Sequence, residues 1–184
     1  MINIIKSDLY RYKKLQGFSG FLKGLFIIPG FRFTFFFRLA SKYKKLSIIG
    51  FFSRFILHIL KFRYGYQIDV KAKIGKGLYI GHFGPIIIGK DVIIGSNCNI
   101  GHTVTLGMIN KGEKKGVPKI GSEVVLSSGC VIVGKVQIGS KVFIAPNSFV
   151  TVSVPDNSTV IGNPAKIIHM NKNPVEGSIE YVLD

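Results

Sequence analysis

The sequence has no tryptophan and only two cysteines, Cys98 and Cys130. Two thiols are too few for the disulfide framework of a small secreted domain, and their spacing fits no metal or redox motif. We therefore expect two reduced cysteines that pack inside the fold. Residues 1–14 also lack the charged start, apolar run and cleavage site of a signal peptide, which predicts a cytoplasmic protein.

Acidic residues are scarce and are almost absent from the first third of the chain. Residues 1–66 contain thirteen Lys and Arg residues against a single acid, Asp8, which gives a net charge of +12. The remaining residues contain twelve against eight, which gives +4. A chain this basic favours anionic partners. We expect residues 1–66 to form a helical, basic and apolar N-terminal region.

Long uninterrupted apolar runs are also missing. The apolar blocks 18–37 and 46–60 are broken by charged residues or by Pro29-Gly30, and the second is shorter than the roughly 20 residues of a membrane-spanning helix. Helices that lie on an anionic membrane surface fit better, which predicts peripheral association with the inner face of the cell membrane. The alternative is that these helices pack against the rest of the protein and against neighbouring copies, and the two roles can coexist. No nucleic-acid-binding motif accompanies the cations, so we expect no nucleic-acid partner.

The second part of the chain repeats with a period of six residues. Glycine commonly follows the repeated aliphatic position, as in Gly75 and Gly81. An inward aliphatic side chain followed by a tight corner describes a strand-turn unit, and three units close one coil of about eighteen residues. Ordinary strands or helices would show periods of 2 or 3.6. The aliphatic positions are Ile74, Ile80, Ile86, Ile88, Ile94, Ile100, Leu106, Ile120, Leu126, Ile132, Ile138, Ile144 and Val150.

This repeat predicts a mainly β protein, a left-handed parallel β-helix over residues 67–168 with an α-helical N-terminal region before it. Residues 108–119 interrupt the repeat and should leave a corner of the coil as an extruded loop. Loops of this length are usually functional or disordered. Residues 169–184 form a polar C-terminal tail.

Two histidines occupy the same slot of the repeat. His82 follows Ile80-Gly81 and His102 follows Ile100-Gly101, twenty residues later. Because a two-residue slip in the repeat lies between them, the two side chains should stack on one edge of the coil, on rungs about 4.8 Å apart. Stacked imidazoles near a protruding loop form a candidate acid/base site, since each disfavours positive charge on the other.

Two other chemistries fit the repeat less well. A zinc site would need three converging histidines, and the repeat holds two, so we expect no metal. A nucleophilic cysteine would need a histidine on its own edge, and neither cysteine shares the histidine slot. We therefore interpret the histidine pair as a site of general-base catalysis.

Several segments resemble the hexapeptide-repeat acyltransferases, and within them the serine acetyltransferase-like branch. The resemblance covers residues 64–168 and rests on KIGKGLYIGH at 73–82, VTLG at 104–107, PKIG at 118–121 and GNPAK at 162–166. It implies a homotrimer that uses acetyl-CoA as donor substrate without a permanently bound cofactor.

The same resemblance implies roles for individual residues. His82 is the counterpart of the family's catalytic histidine, and His102 is a second candidate. Asp69 is the candidate to orient His82, although it lies thirteen residues before it, two fewer than the family spacing. Lys166 is expected to meet the phosphates of the donor. The other residues expected to contact the donor are Gly107, Met108, Ser128 and Pro146.

The sequence departs from true serine acetyltransferases at the acceptor side. Gly81 stands where the family has an aspartate, and Gly116-Val117 stand where it has an Arg-His pair. These departures and the basic N-terminus resemble the polysaccharide-modifying members, of the colanic acid or capsule type. We therefore expect the acceptor to be a sugar hydroxyl of a capsular, exo- or O-antigen polysaccharide unit, carried on a lipid-linked oligosaccharide. The alternatives are a serine O-acetyltransferase of cysteine biosynthesis and a non-enzymatic β-helix scaffold.

Overall fold

Four helices fill the N-terminal third of the chain. The structure is a computed structural model that describes residues 1–183. The helices are α1 (Ile2–Tyr10), α2 (Gly17–Ile27), α3 (Pro29–Lys42) and α4 (Ile48–Tyr64). Within residues 1–183, no single helix has the length and apolarity needed to cross a membrane, and only α2 and α3 taken together, bent by 101°, pass on length and composition.

The longest helix, α4, has defined ends. Ser47 precedes it and accepts a hydrogen bond from the backbone N–H of Gly50 at 3.1 Å, as a helix N-cap does. Gly65 follows it with a φ of +78°, the left-handed conformation that ends helices. Lys61 and Arg63 in the last turn are favourable near the negative end of the helix dipole.

A buried ion pair joins the helices to the rest of the protein. The Arg38 side chain donates from Nε to the Asp8 carboxylate at 2.8 Å, and it also donates to the backbone carbonyls of Ile74 and Gly75. Asp8 in turn accepts a hydrogen bond from the N–H of Leu78 at 2.9 Å. Burial raises the pKa of the Asp8 carboxyl, and the charge of Arg38 opposes that shift.

Short strands follow from residue 66 onward, separated by turns at most positions. They are β1 (Tyr66–Ile68), β2 (Lys73–Ile74), β3 (Tyr79–Ile80), β4 (Ile86–Ile88), β5 (Ile93–Ile94), β6 (Asn99–Ile100), β7 (Thr105–Gly107), β8 (Lys119–Ile120), β9 (Val125–Leu126), β10 (Val131–Val133), β11 (Gln137–Ile138), β12 (Phe143–Ile144), β13 (Phe149–Val150), β14 (Ser158–Ile161) and β15 (Lys166–His169).

From β1 to β13, successive strands contribute in turn to three sheets. Sheet A contains β1, β4, β7, β10 and β13; sheet B contains β2, β5, β8 and β11; sheet C contains β3, β6, β9, β12, β14 and β15. All pairs are parallel except β14 with β15. A chain that returns to the same sheet every third strand is a parallel β-helix, so the fold prediction, with helices before it, is confirmed.

The repeated aliphatic side chains fill the interior of the coil. All of them except the half-buried Ile74 are buried, and they form columns because the paired positions of successive coils lie directly above one another. In sheet C, for example, Ile80 pairs with Ile100, Ile100 with Leu126 and Leu126 with Ile144. The slip in the repeat lies in the turn 81–85, because Ile88, and not Ile86, pairs with Leu106.

The extruded segment folds as a small hairpin beside the coil. Ile109 and Gly116 exchange backbone hydrogen bonds of 3.0 and 2.9 Å, and the N–H of Lys135 donates to the carbonyl of Lys114 at 3.0 Å. The predicted loop ends one residue late, since Lys119 is the first residue of β8.

The C-terminal tail folds back across sheet C. Asn99 Nδ2 donates to the carbonyl of Ser178 at 2.7 Å, and Arg11 Nε donates to the carbonyl of Glu180 at 2.9 Å. Val175 is buried. The tail therefore packs on both the β-helix and the end of α1, although its composition is polar.

Candidate active site

The turns from sheet C to sheet A form one edge of the coil, which we call the histidine edge: 81–85, 101–104, 127–130 and 145–148. Each turn carries a residue two positions after the inward aliphatic residue of sheet C. These residues are His82, His102, Ser128 and Pro146. Backbone hydrogen bonds join successive turns of this edge. The N–H of Gly129 donates to the carbonyl of His102, and the N–H of Asn147 donates to that of Ser128, both at 3.0 Å.

The structure brings His82 and His102 together on this edge. Their ring centroids lie 6.3 Å apart with an angle of 87° between the planes, and both side chains are exposed. The edge-to-face contact is the juxtaposition that the twenty-residue spacing predicts. A proton acceptor at this position is accessible to a substrate hydroxyl, which general-base catalysis requires.

Aromatic residues from the end of α4 and from β1 hold the turn of His82. Tyr66 donates its hydroxyl to the carbonyl of His82 at 2.9 Å, and the N–H of Gly84 donates to the carbonyl of Tyr64 at 3.1 Å. The ring of Phe83 stacks over that of Tyr64 with centroids 6.5 Å apart. Sequence reasoning did not identify these residues, because they belong to no repeat position.

Gly84 allows the turn to approach the second histidine. Its φ is +132°, and a β-carbon there would lie 3.1 Å from Cβ of His102. A side chain at this position would therefore be strained and would press on the histidine pair.

The hydroxyl of Thr103 contacts both the backbone and the ring of His102. It donates to the backbone carbonyl of His102 at 2.6 Å, so it accepts from His102 Nδ1 at 3.0 Å. This network assigns the proton of a neutral His102 ring to Nδ1 and leaves Nε2 as the acceptor.

Asp69 does not lie where an orienting carboxylate for His82 is needed. It occupies the turn from sheet A to sheet B, and its Oδ1 accepts a hydrogen bond from the N–H of Lys71 at 2.8 Å. His82 occupies the turn from sheet C to sheet A, on another edge. Among residues 1–183, neither histidine forms an ion pair with a carboxylate.

The residues expected to contact the donor are divided between edges. Ser128 and Pro146 lie on the histidine edge, whereas Gly107 and Met108 lie where the chain leaves sheet A, at the base of the hairpin. Lys166 begins β15 in sheet C. The hairpin is therefore not beside the histidine pair of its own chain, which corrects the expectation that the two are neighbours.

A shallow cavity of about 650 Å³ opens beside the turn of His82 and is lined by Phe83, Arg32 and Arg63, among others. The Arg32 guanidinium already bonds to the hydroxyl of Tyr64 and to the carbonyl of Leu25, each at 2.5 Å. Arg63 is exposed and has no hydrogen-bond or ion-pair partner among residues 1–183. It is therefore available to an anionic group.

A second cavity of about 500 Å³ adjoins Gly81, on the other side of the His82 turn. Its lining includes Arg11, Lys13 and Lys23. Arg11 is buried and donates hydrogen bonds to the backbone carbonyls of Gly77 and Glu180. The accessible cations of this cavity are therefore the exposed lysines. Positive charge thus borders the turn of His82 on both sides.

Neither cysteine is accessible to a substrate. Cys98 and Cys130 are buried free thiols, and burial raises the pKa of Cys98 to about 11 and that of Cys130 to about 12. Within the described part of the chain, no group of three His, Cys, Asp or Glu residues could hold a metal ion. The side chains of this edge that can take up a proton are the two imidazoles.

Comparison with known proteins identifies close relatives, although no family model matches the chain. A serine acetyltransferase of Helicobacter pylori is 35% identical over 144 residues, which cover 78% of this chain and 84% of the relative. A serine acetyltransferase of Staphylococcus aureus is 41% identical over 116 residues, which cover 63% of this chain but only 54% of that protein. The chain therefore spans about half the length of the second relative.

Solved structures give the same result. A serine acetyltransferase of Brucella abortus in complex with coenzyme A superposes with a TM-score of 0.77 at 29% identity, covering 94% of this chain and 69% of that one. A serine acetyltransferase of Neisseria gonorrhoeae in complex with serine superposes with a TM-score of 0.74 at 28% identity, covering 91% and 68%.

These relatives correct the prediction of the acceptor. The relatives given above, in sequence and in fold, are serine acetyltransferases, whereas the sequence predicts a polysaccharide O-acetyltransferase acting on a sugar or lipid-linked oligosaccharide. The prediction of a sugar acceptor depends on three substituted positions, Gly81 and Gly116-Val117. The similarity of the whole β-helix to serine acetyltransferases is the stronger evidence. The prediction of a sugar acceptor is wrong.

Proposed function

The chain belongs to the serine acetyltransferase-like family of hexapeptide-repeat acyltransferases and is an acetyl-CoA-dependent acyltransferase; on that premise we propose that it acetylates the hydroxyl of serine. The observation that carries the proposal is the contact of His82 with His102 on the exposed histidine edge of this fold. The choice of serine as acceptor is supported by the relatives at 35% and 41% identity, which are serine acetyltransferases.

In the proposed reaction His82 is the general base. It removes the proton of the serine hydroxyl while that oxygen attacks the carbonyl carbon of the acetyl thioester. The tetrahedral intermediate then collapses, the carbon–sulfur bond breaks, and His82 returns the proton to the leaving sulfur. The products are O-acetylserine and free coenzyme A. His102 lies against the ring of His82 and limits the positions that this ring can adopt.

Arg63 is the residue we propose for the serine carboxylate. The family positions that hold the amino acid are occupied here by Gly81, Gly116 and Val117, none of which carries a charge. Arg63 lines the cavity that includes Phe83, the residue after His82, and it has no partner among the described residues. A guanidinium binds a carboxylate through two parallel hydrogen bonds, which suits this role.

A trimer would complete the donor site. Gly107, Met108 and the hairpin lie on one edge of the coil, and Ser128 and Pro146 lie on another. We propose that three copies pack so that the edge with the hairpin of one protomer faces the histidine edge of the next. The pantetheine arm would lie between them, and Lys166 would meet the phosphates of the donor.

The test is the release of free coenzyme A from acetyl-CoA by the purified protein. Serine, threonine and ethanolamine should be compared as acceptors, because threonine crowds the hydroxyl and ethanolamine lacks the carboxylate. We expect turnover with serine, less with threonine, and a much higher KM with ethanolamine. Failure of serine to raise coenzyme A release above hydrolysis would overturn the proposed acceptor.

A further inference from the structure

Helix α4 has two apolar faces, and only one of them is covered. The inner face consists of Gly50, Ser53, Leu57, Leu60 and Tyr64, all buried. The outer face runs along the opposite side with the same spacing of three and four residues, and it consists of Ile48, Phe52, Phe55, Ile59 and Phe62. A helix of the globular type has one apolar stripe and a polar opposite side. The second stripe therefore needs an explanation outside the packing of this chain.

The outer face of α4 is largely exposed. Phe52 and Phe55 are 58% and 56% exposed, and Phe62 is 72% exposed. The face is widened by Leu46 and Phe51, which are 95% and 59% exposed. Contiguous apolar patches of this kind on a protein surface mark sites of interaction. The outer face of α4 is also wider than the two-position seam through which helices pair in coiled coils.

The charges around this face have one sign. Lys44 and Lys45 are exposed immediately before α4, and Lys61 is exposed in its last turn. The one acid in residues 1–66, Asp8, is buried and paired with Arg38. An occupant of the outer face must therefore carry negative charge at its rim and accept aromatic side chains at its centre.

We propose that the outer face of α4 docks on an anionic bilayer surface, at the inner face of the cell membrane. Phe52, Phe55 and Phe62 enter the boundary between headgroups and acyl chains, and the lysines lie at the level of the anionic headgroups. The inner face of α4 stays packed on the protein, so the helix lies parallel to the bilayer. The N-terminal region of a second copy is a poorer occupant, because its residues 1–66 carry the same net charge of +12 and would repel this face.

The experiment is co-sedimentation of the full chain with vesicles of phosphatidylcholine alone or of phosphatidylcholine mixed with phosphatidylglycerol. One variant, Phe52→Ser with Phe55→Ser, removes the apolar anchor, and a second, Lys44→Glu with Lys45→Glu, reverses the charge of the rim. Val152→Ser and Lys172→Glu are matched controls, because they change an exposed apolar residue and an exposed lysine outside the helices. Light scattering measures the size of each variant, and circular dichroism its folding.

We expect the wild-type protein and both controls to bind only the vesicles with phosphatidylglycerol, and to dissociate as salt is raised. Each of the other two variants should bind at least roughly tenfold more weakly while keeping its fold. Equal binding to neutral vesicles, or unchanged binding by both variants, would overturn the proposal. The proposal would also be overturned if the wild-type protein did not bind vesicles and the oligomer became smaller in the variant Phe52→Ser with Phe55→Ser. The outer face would then be an interface between copies. These outcomes are independent of whether serine is the acceptor.

Discussion

Asp8 and Arg38 form an ion pair that is buried where the helices meet the β-helix. The guanidinium reaches the carboxylate with Nε at 2.8 Å and Nη2 at 3.1 Å, and the two side chains are only 1% and 7% exposed. Because both partners also bond to the backbone of residues 74–78, the pair ties α1 and α3 to the first coil. The histidine edge begins a few residues later, at 81.

Removing one member of this pair should destabilise the protein strongly. Asp8→Ala leaves the Arg38 charge buried without its partner, which costs about 3–5 kcal/mol in comparable pairs. The double variant Asp8→Ala with Arg38→Met removes both charges and should recover a large part of that loss. Urea unfolding followed by circular dichroism measures each free energy. A single variant as stable as the wild type would show that the pair is dispensable for the docking of the helices.

The two histidines should differ in their effect on turnover. His82→Ala should lower kcat with serine by at least about a hundredfold, the usual contribution of a general base. His102→Ala should cost roughly tenfold, because it removes only the ring that confines His82. Both side chains are exposed, so neither change should lower stability. Steady-state kinetics of coenzyme A release provide the measurement, and a larger loss from His102→Ala would assign the base to His102 instead.

The fold and the histidine contact could be predicted because each coil repeats the same arrangement. Counting from the inward aliphatic residue places His82 and His102 two positions after Ile80 and Ile100, on one edge. The same count applied to Asp69 would have corrected its assignment, since it directly follows Ile68 of sheet A and so lies on another edge. The hairpin, which follows Leu106 of sheet A, could have been placed in the same way.

Other parts of the site could not be predicted, because no periodicity governs them. Tyr64 and Tyr66 reach the turn of His82 from outside the repeat, and the C-terminal tail docks through backbone carbonyls, which carry no sequence signal. The acceptor was mispredicted for a different reason. The prediction of a sugar acceptor rested on a few substituted positions, which change only the local contacts to a substrate. The similarity to serine acetyltransferases extends over more than a hundred residues.

Gly84→Ala should impair catalysis more than it impairs folding. The positive φ makes the substitution strained, at a cost of about 1–3 kcal/mol, and the new β-carbon meets Cβ of His102. Gly17→Ala is the matched control, because Gly17 also has a positive φ but its β-carbon would meet no atom within 4 Å. We expect both variants to lose stability, but a fall in kcat only for Gly84→Ala. Equal kcat values for the two variants would show that the turn tolerates a displaced His102.

Arg63→Gln should raise the KM for serine and leave kcat nearly unchanged, since the proposed contact is to the carboxylate and is present before and during the reaction. A lost charge-assisted pair weakens binding by roughly tenfold or more. The KM for ethanolamine should not change. Lys23→Gln, in the cavity on the other side of the His82 turn, is the control. If Lys23→Gln raises the KM for serine and Arg63→Gln does not, the carboxylate binds beside Gly81.

Both cysteines should resist alkylation in the folded protein. A thiol reacts as its thiolate, and with a pKa of about 11 only about a thousandth of the Cys98 side chains would be ionised at about pH 8. Cys130, with a pKa of about 12, should be less ionised still, and neither side chain is accessible to the reagent. We expect mass spectrometry to detect no iodoacetamide adduct in the native protein and two adducts in urea. Turnover with serine should survive this native treatment, because the proposed reaction passes directly from acetyl-CoA to the acceptor. Rapid native labelling with loss of turnover would instead indicate a catalytic thiol and would contradict direct transfer.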